Sequence, residues 1–256
     1  MSDLSRAAAE LDLDGLRRDL LELRGGEVDD SIPTLAAADA DVCGVALALR
    51  DGTVHASADT DLPFSIQSAV KPFIYALALT DRGDEVHDAV GIEPTGEAFD
   101  AIRLESGSGR APNPMVNAGA LLTANLVDGD TVEARTARIR DGLARFAGTD
   151  LAIDEAVLEE EQAHGDRNHA LAHLLRSEGT LPVGVDDAVA AYASACAVTV
   201  TTRALAVMGA TLACAGRNPV SGEQVVPPQP GEAEAGDTPR PRRPSMRRRS
   251  GGRDAA

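Results

Sequence analysis

Hydrophobic positions recur at helical spacing along most of this 256-residue chain. Over 3–24, charged residues alternate with leucine and alanine, with Leu11, Leu13, Leu16, Leu20, Leu21 and Leu23 as the apolar set, and Gly25-Gly26 closes the segment. This predicts one amphipathic helix, an N-terminal unit within 1–26. A short apolar run at 42–49 is followed by Arg50-Asp51-Gly52-Thr53 and a second run at 54–58. Asp-Gly between two such runs predicts a β-hairpin. A helix is predicted from about Ser68 to Thr80, with Pro72 near its first turn, where a missing N–H costs little. From Asp81 to about Gly216 the chain reads as mostly helical, with helices over 116–127, 131–147, 167–177, 186–196 and 200–215. The clearest break is 106–114, rich in Ser, Gly, Asn and Pro. After residue 226 the pattern stops. Segment 227–256 is Pro-, Gly- and Arg-rich with almost nothing apolar, and is predicted to be disordered.

Composition narrows the picture. Aromatic residues are 2%, with no Trp, so the core must be Ala, Val and Leu. Net charge is -17, a solvated surface suited to a salty cytoplasm, and it repels phosphate backbones, which argues against nucleic acid as a partner of the body of the chain. Cys43, Cys196 and Cys214 show no metal or disulfide spacing, and Cys43 and Cys214 read as small core residues. With no N-terminal apolar leader and no apolar run of about 18 residues, the expectation is a cytoplasmic protein without a membrane partner.

The candidate chemistry centres on one residue. Of 24 Lys and Arg residues, Lys71 is the only lysine. Arginine stays protonated, whereas a desolvated lysine can give up its proton and act as a base. Ser68 precedes it at i, i+3, on the same side of a helical turn. A serine nucleophile with a lysine base has this layout, although Ser-x-x-Lys alone is a weak motif. A nucleophile at a helix N-terminus also gains from the free N–H groups there. His169 and His173 stand at i, i+4, but no third ligand is placed for them, and no metal is expected. The glycine clusters lack phosphate-loop spacing.

Five segments in the same order, the first of them carrying Ser68 and Lys71, resemble the serine-dependent glutaminases. They are Pro63-Phe-Ser-Ile-Gln-Ser-Ala-Val-Lys71; Ile92-Glu-Pro-Thr-Gly96; Asn113-Pro-Met-Val-Asn-Ala-Gly-Ala120; Glu161 with Gly165-Asp-Arg-Asn-His-Ala-Leu-Ala172; and Tyr192-Ala-Ser-Ala-Cys196, leading to Arg203-Ala-Leu-Ala-Val-Met208 and Gly216-Arg-Asn-Pro219. The resemblance implies an α+β, serine β-lactamase-like fold over 27–226, a helical subdomain with a truncated antiparallel sheet. It implies hydrolysis of L-glutamine to L-glutamate and ammonia through a serine acyl-enzyme, with no cofactor and with a homodimer or homotetramer as the assembly. Ser68 would be the nucleophile and Lys71 its base. Ser68, Asn117, Glu161, Asn168 and Tyr192 would hold the substrate. The chemistry agrees: Glu161 can pair an α-ammonium, and the neutral groups can orient the rest. From the residues alone, Glu161 could be one charge of an acidic run, Asn113 and Asn117 turn or cap residues, and Tyr192 a core residue.

Two departures from the family pattern shape the expectations. Ser31, in Ser31-Ile-Pro-Thr-Leu-Ala36, stands where the family usually has tyrosine, so a hydroxyl there falls short of a substrate. After Val226 the family continues for about eighty residues carrying the remaining strands, and the Arg/Pro tail resembles an out-of-frame translation. The sheet would then keep only the hairpin at 42–58, with an unpaired edge, poor solubility and little turnover. An inactive truncated relative is therefore an alternative. A β-lactam-interacting hydrolase is another, disfavoured because Asn117 lies in Asn-Ala-Gly-Ala and no Lys-Thr-Gly strand is present.

Overall fold

A computed structural model describes residues 3–96 and 98–228. The predicted N-terminal helix is two helices, α1 (Asp3–Ala9) and α2 (Leu13–Leu21). The break arises at Asp12, whose Oδ1 accepts the Gly15 N–H at 2.7 Å and caps a new helix. Of the leucine stripe, Leu11, Leu16, Leu20 and Leu23 are exposed. Helix α2 is held by polar contacts: Arg17 Nε donates to Cys43 O at 2.8 Å and its guanidinium pairs with Asp59.

The hairpin forms as predicted, although shorter. Strand β1 (Ala46–Ala48) pairs antiparallel with β2 (Val54–Ala56), Leu47 opposite His55. Gly52 takes φ 84 in the turn, the left-handed conformation that glycine adopts without a Cβ clash. Among the described residues β1 pairs only with β2, and both strands are half-buried. A second sheet was not expected. Strand β3 (Pro63–Ser65) pairs antiparallel with β4 (Thr199–Thr201), and Ile66 N–H donates to Val198 O at 2.8 Å. This pairing draws the segment leading to Ser68 onto the chain just after residue 196.

The helices follow the hydrophobic pattern. After the short α3 (Pro33–Ala36), a 3-10 turn over Gln67–Val70 runs directly into α4 (Lys71–Arg82), and the short α5 (Val86–Ala89) follows. Next come α6 (Asn117–Leu126), α7 (Val132–Ala147), α8 (Glu155–Ala163), α9 (Asp166–Ser177), α10 (Val185–Cys196) and α11 (Thr202–Ala213). Helix α8 had no apolar periodicity to announce it, since Val157 is its one buried residue. Its start is set by Asp154, whose Oδ1 accepts the N–H groups of Ala156 and Val157. Helices α6 and α10 are buried along nearly their whole length and form the centre, with α4, α7 and α9 around them. Leu77, Leu121, Leu143 and Leu175 are fully enclosed, and Phe73 meets Phe146 edge-on at 5.3 Å. The core is thus the aliphatic one that the composition demanded. Cys43 and Cys214 are half-buried rather than core residues. No described helix is long and apolar enough to cross a membrane. From residue 229 on, the tail lies outside the described residues.

One glycine fixes the approach of α6. A Cβ on Gly119 would lie 1.9 Å from Asn113 O and 2.8 Å from Asn113 C, both backbone atoms. Gly119→Ala should therefore push α6 off the 113–114 turn. The expected cost is about 2–3 kcal/mol, or roughly 5–10 °C in melting temperature. Thermal melting followed by circular dichroism checks this.

Candidate active site

Ser68 is exposed on the 3-10 turn, and Lys71 opens α4 with 4% of its surface accessible. The Lys71 N–H donates to Ser68 O, which fixes the two in successive positions of one turn. Ser68 N–H sits ahead of the turn's first internal bond, from Ala69 N–H to Ile66 O at 3.2 Å. Gln67, just before Ser68, has φ 50, a left-handed conformation that costs a non-glycine residue about 1–3 kcal/mol. Its side chain holds it there: Nε2 donates to Ser65 Oγ at 3.2 Å, and the amide lies close enough to Glu161 to lower its carboxyl pKa.

Tertiary packing brings Asn117, Glu161 and Tyr192 to this turn from three further helices. Lys71 Nζ donates to Asn117 Oδ1 at 2.7 Å, where Asn117 is the first residue of α6. Tyr192, on α10, is 3% exposed, and its hydroxyl lies beside the Ser68 side chain. Glu161 comes from α8 and Asn168 from α9. Asn168 Oδ1 is buried without a hydrogen-bond partner, an acceptor left open. Asn113 shapes the turn: its Oδ1 accepts the N–H groups of Met115 and Val116. Ser31 is exposed, its N–H donating to Asp29 Oδ1 at 2.8 Å. His169 Nδ1 lies 3.0 Å from Gly165 O, and among the described residues no metal-ligating trio forms.

Burial sets the protonation states. It pushes the Lys71 ammonium below the usual lysine range, opposed by Cys196 and by Asp100. Cys196 is itself buried, and its thiol is pushed up to about 12. It is therefore uncharged near neutrality, which leaves Asp100 as the charge that acts on the lysine. Burial also raises the Tyr192 phenol well above its ordinary value and raises the Glu161 carboxyl, although Gln67 pulls Glu161 back down. The arrangement offers a poorly hydrated amine, a neutral phenol donor and a carboxylate around one exposed serine. That set suits acyl transfer.

Several participants were invisible to sequence reasoning. Gln67 and Cys196 lay inside the quoted motifs without a role. Phe99 and Asp100 come from the loop before α6. The Phe99 ring centroid lies 4.9 Å from Lys71 Nζ, and Phe99 O accepts the Asn117 N–H at 2.8 Å. No pattern within a single sequence marks a long-range contact of this kind. A groove of about 560 Å³, lined by residues that include Val54, Leu151, Val200, Ala204 and Val207, contains none of these site residues.

Comparison with known proteins agrees with the geometry. The family model described as Glutaminase matches residues 26–233. A glutaminase of Clavibacter michiganensis is 65% identical over 219 residues, covering 86% of this chain and 67% of that protein. A glutaminase of Corynebacterium glutamicum is 44% identical, covering 81% and 51%. Among solved structures, Mglu in its glutamate form superimposes with a TM-score of 0.80 at 44% identity, covering 84% of this chain and 50% of that one. A probable glutaminase of Bacillus subtilis gives 0.75 at 30% identity, covering 88% and 69%. The chain thus spans about half to two thirds of the length of these relatives. The architecture is the helix-rich α+β, serine β-lactamase-like fold that the motifs implied.

Proposed function

Because this chain belongs to the glutaminase family, we propose that it hydrolyses L-glutamine to L-glutamate and ammonia, with Ser68 as nucleophile and Lys71 as base. The observation that carries the reading is the buried Lys71, pushed toward its neutral form and held at the turn that presents Ser68. Neutral Lys71 takes the Ser68 proton, and the serine oxygen attacks the γ-carboxamide carbon. Lys71 then returns the proton to the leaving nitrogen, and ammonia departs. Water, deprotonated by the same amine, cleaves the glutamyl ester and restores Ser68. The Ser68 N–H at the open end of the turn supports the oxyanion, a contribution whose loss typically costs about 100- to 1000-fold. Tyr192, kept protonated by burial, can donate to the serine oxygen as charge develops there. Glutamate-bound Mglu among the structural relatives supports the substrate class.

Glu161 would pair the substrate ammonium, and Asn117, Asn168 and Tyr192 would orient the rest. Glu161→Gln should raise KM for glutamine by about 10- to 100-fold while kcat changes much less, because a charge-assisted bond is lost from ground and transition states alike. Its raised carboxyl means that binding weakens on the acid side at a higher pH than for an ordinary glutamate. Steady-state ammonia release against pH reads both. Release by the purified 256-residue chain tests the whole proposal, and a folded chain that releases none overturns it.

A further inference from the structure

The turn over 98–101 is tied to the site from outside. Arg167, on α9 beside Asn168, donates from Nη2 to Asp100 O at 2.9 Å and pairs with Asp100 Oδ2 at 3.0 Å. Arg167 thereby grips both the main chain and the side chain of one residue. The preceding residue, Phe99, lays its ring over Lys71 Nζ and accepts the N–H of Asn117, whose Oδ1 in turn holds Nζ. Phe99 is itself 59% exposed, so little apolar packing keeps it in place. The Arg167 side chain is 63% exposed, and exposed ion pairs contribute little to stability. Its consequence is therefore positional.

We infer that Arg167 is a positioning residue for the reaction: by clamping Asp100 it keeps the Phe99 ring over Lys71, holding water away from the base and occupying the nearby carboxylate. The inference rests on the reading of Lys71 as base, and it adds a control on that base from the substrate-binding helix. The groups facing Lys71 are Asn117 from α6, Cys196 from α10 with Tyr192 one turn before it, and Phe99 and Asp100 from the turn. Asn117 and Phe99 do not titrate, and Tyr192 and Cys196 stay protonated near neutrality. Asp100 is thus the charged member of the set, and Arg167 neutralises it. Removing Arg167 lets water reach Nζ and frees the Asp100 carboxylate. Both changes favour the ammonium.

The single lysine makes the test direct. Lysine labelled with carbon-13 at Cε, incorporated during expression, gives one side-chain signal whose pH titration reports Lys71 alone. Arg167→Ala should raise the titration midpoint by about one pH unit, a tenfold change in ionisation constant. Arg167→Glu, which repels Asp100, should raise it further, and Phe99→Ala should also raise it. If glutamine turnover is measured alongside, kcat of Arg167→Ala falls near neutrality, KM stays within about twofold, and the loss recovers at higher pH. A midpoint unmoved by Arg167→Ala in a folded chain overturns the inference. Because the titration needs no turnover, that failure is distinct from failure of the glutaminase reading.

Discussion

Ammonia release from L-glutamine is expected to fall by about 10⁴-fold or more when Ser68 is replaced by alanine. Lys71, Tyr192 and Asn117 converge on one turn, and Ser68 is the hydroxyl they leave exposed to a substrate. Without it no acyl-enzyme forms, and only binding and the backbone donor remain to assist water. The fold should survive, since Ser68 is exposed and its replacement by alanine removes only a surface hydroxyl. Matched melting curves with a loss of turnover would assign the nucleophile. A decrease below about tenfold would place it elsewhere.

Lys71→Arg should be nearly as damaging, about 10³-fold or more in kcat, although it keeps the positive charge. Arginine cannot give up its proton in this range, and its fork does not fit a site built around one Nζ. The pH dependence carries the sign. Lys71 is held below the ordinary lysine value of 10.5, so its basic form, and with it kcat, grows as pH rises through that lowered value. In Lys71→Arg this ascending limb should vanish from the accessible range. A variant that kept both rate and limb would remove Lys71 from the role of base.

The legible parts of the molecule share a cause. Helices α4, α6, α7, α9, α10 and α11 bury an apolar face, so their periodicity is printed in the chain, as Leu77 on α4 and Leu143 on α7 illustrate. The hairpin is announced by Asp51-Gly52, because few residues accept the turn's backbone. Helix α8 and the break at Asp12 were missed for the opposite reason. Their boundaries depend on single capping carboxylates, Asp154 and Asp12, which resemble any other acid in a chain of 41 acidic residues.

The order of residues alone pointed to Ser68 and Lys71, because a lone lysine one helical turn from a serine is a local fact of chemistry and spacing. Asn117, Glu161, Asn168 and Tyr192 were named only through the resemblance of their motifs to the glutaminase family. Tertiary structure decided how these groups behave. Pairing of β3 with β4 brought Ser68 to the end of α10, beside Tyr192. Burial among α4, α6 and α10 shifted Lys71 toward its neutral form. The clamp of Arg167 on Asp100 joined residues 67 positions apart. Desolvation and long-range contacts depend on which surfaces meet in space, and no local pattern in a chain encodes that meeting.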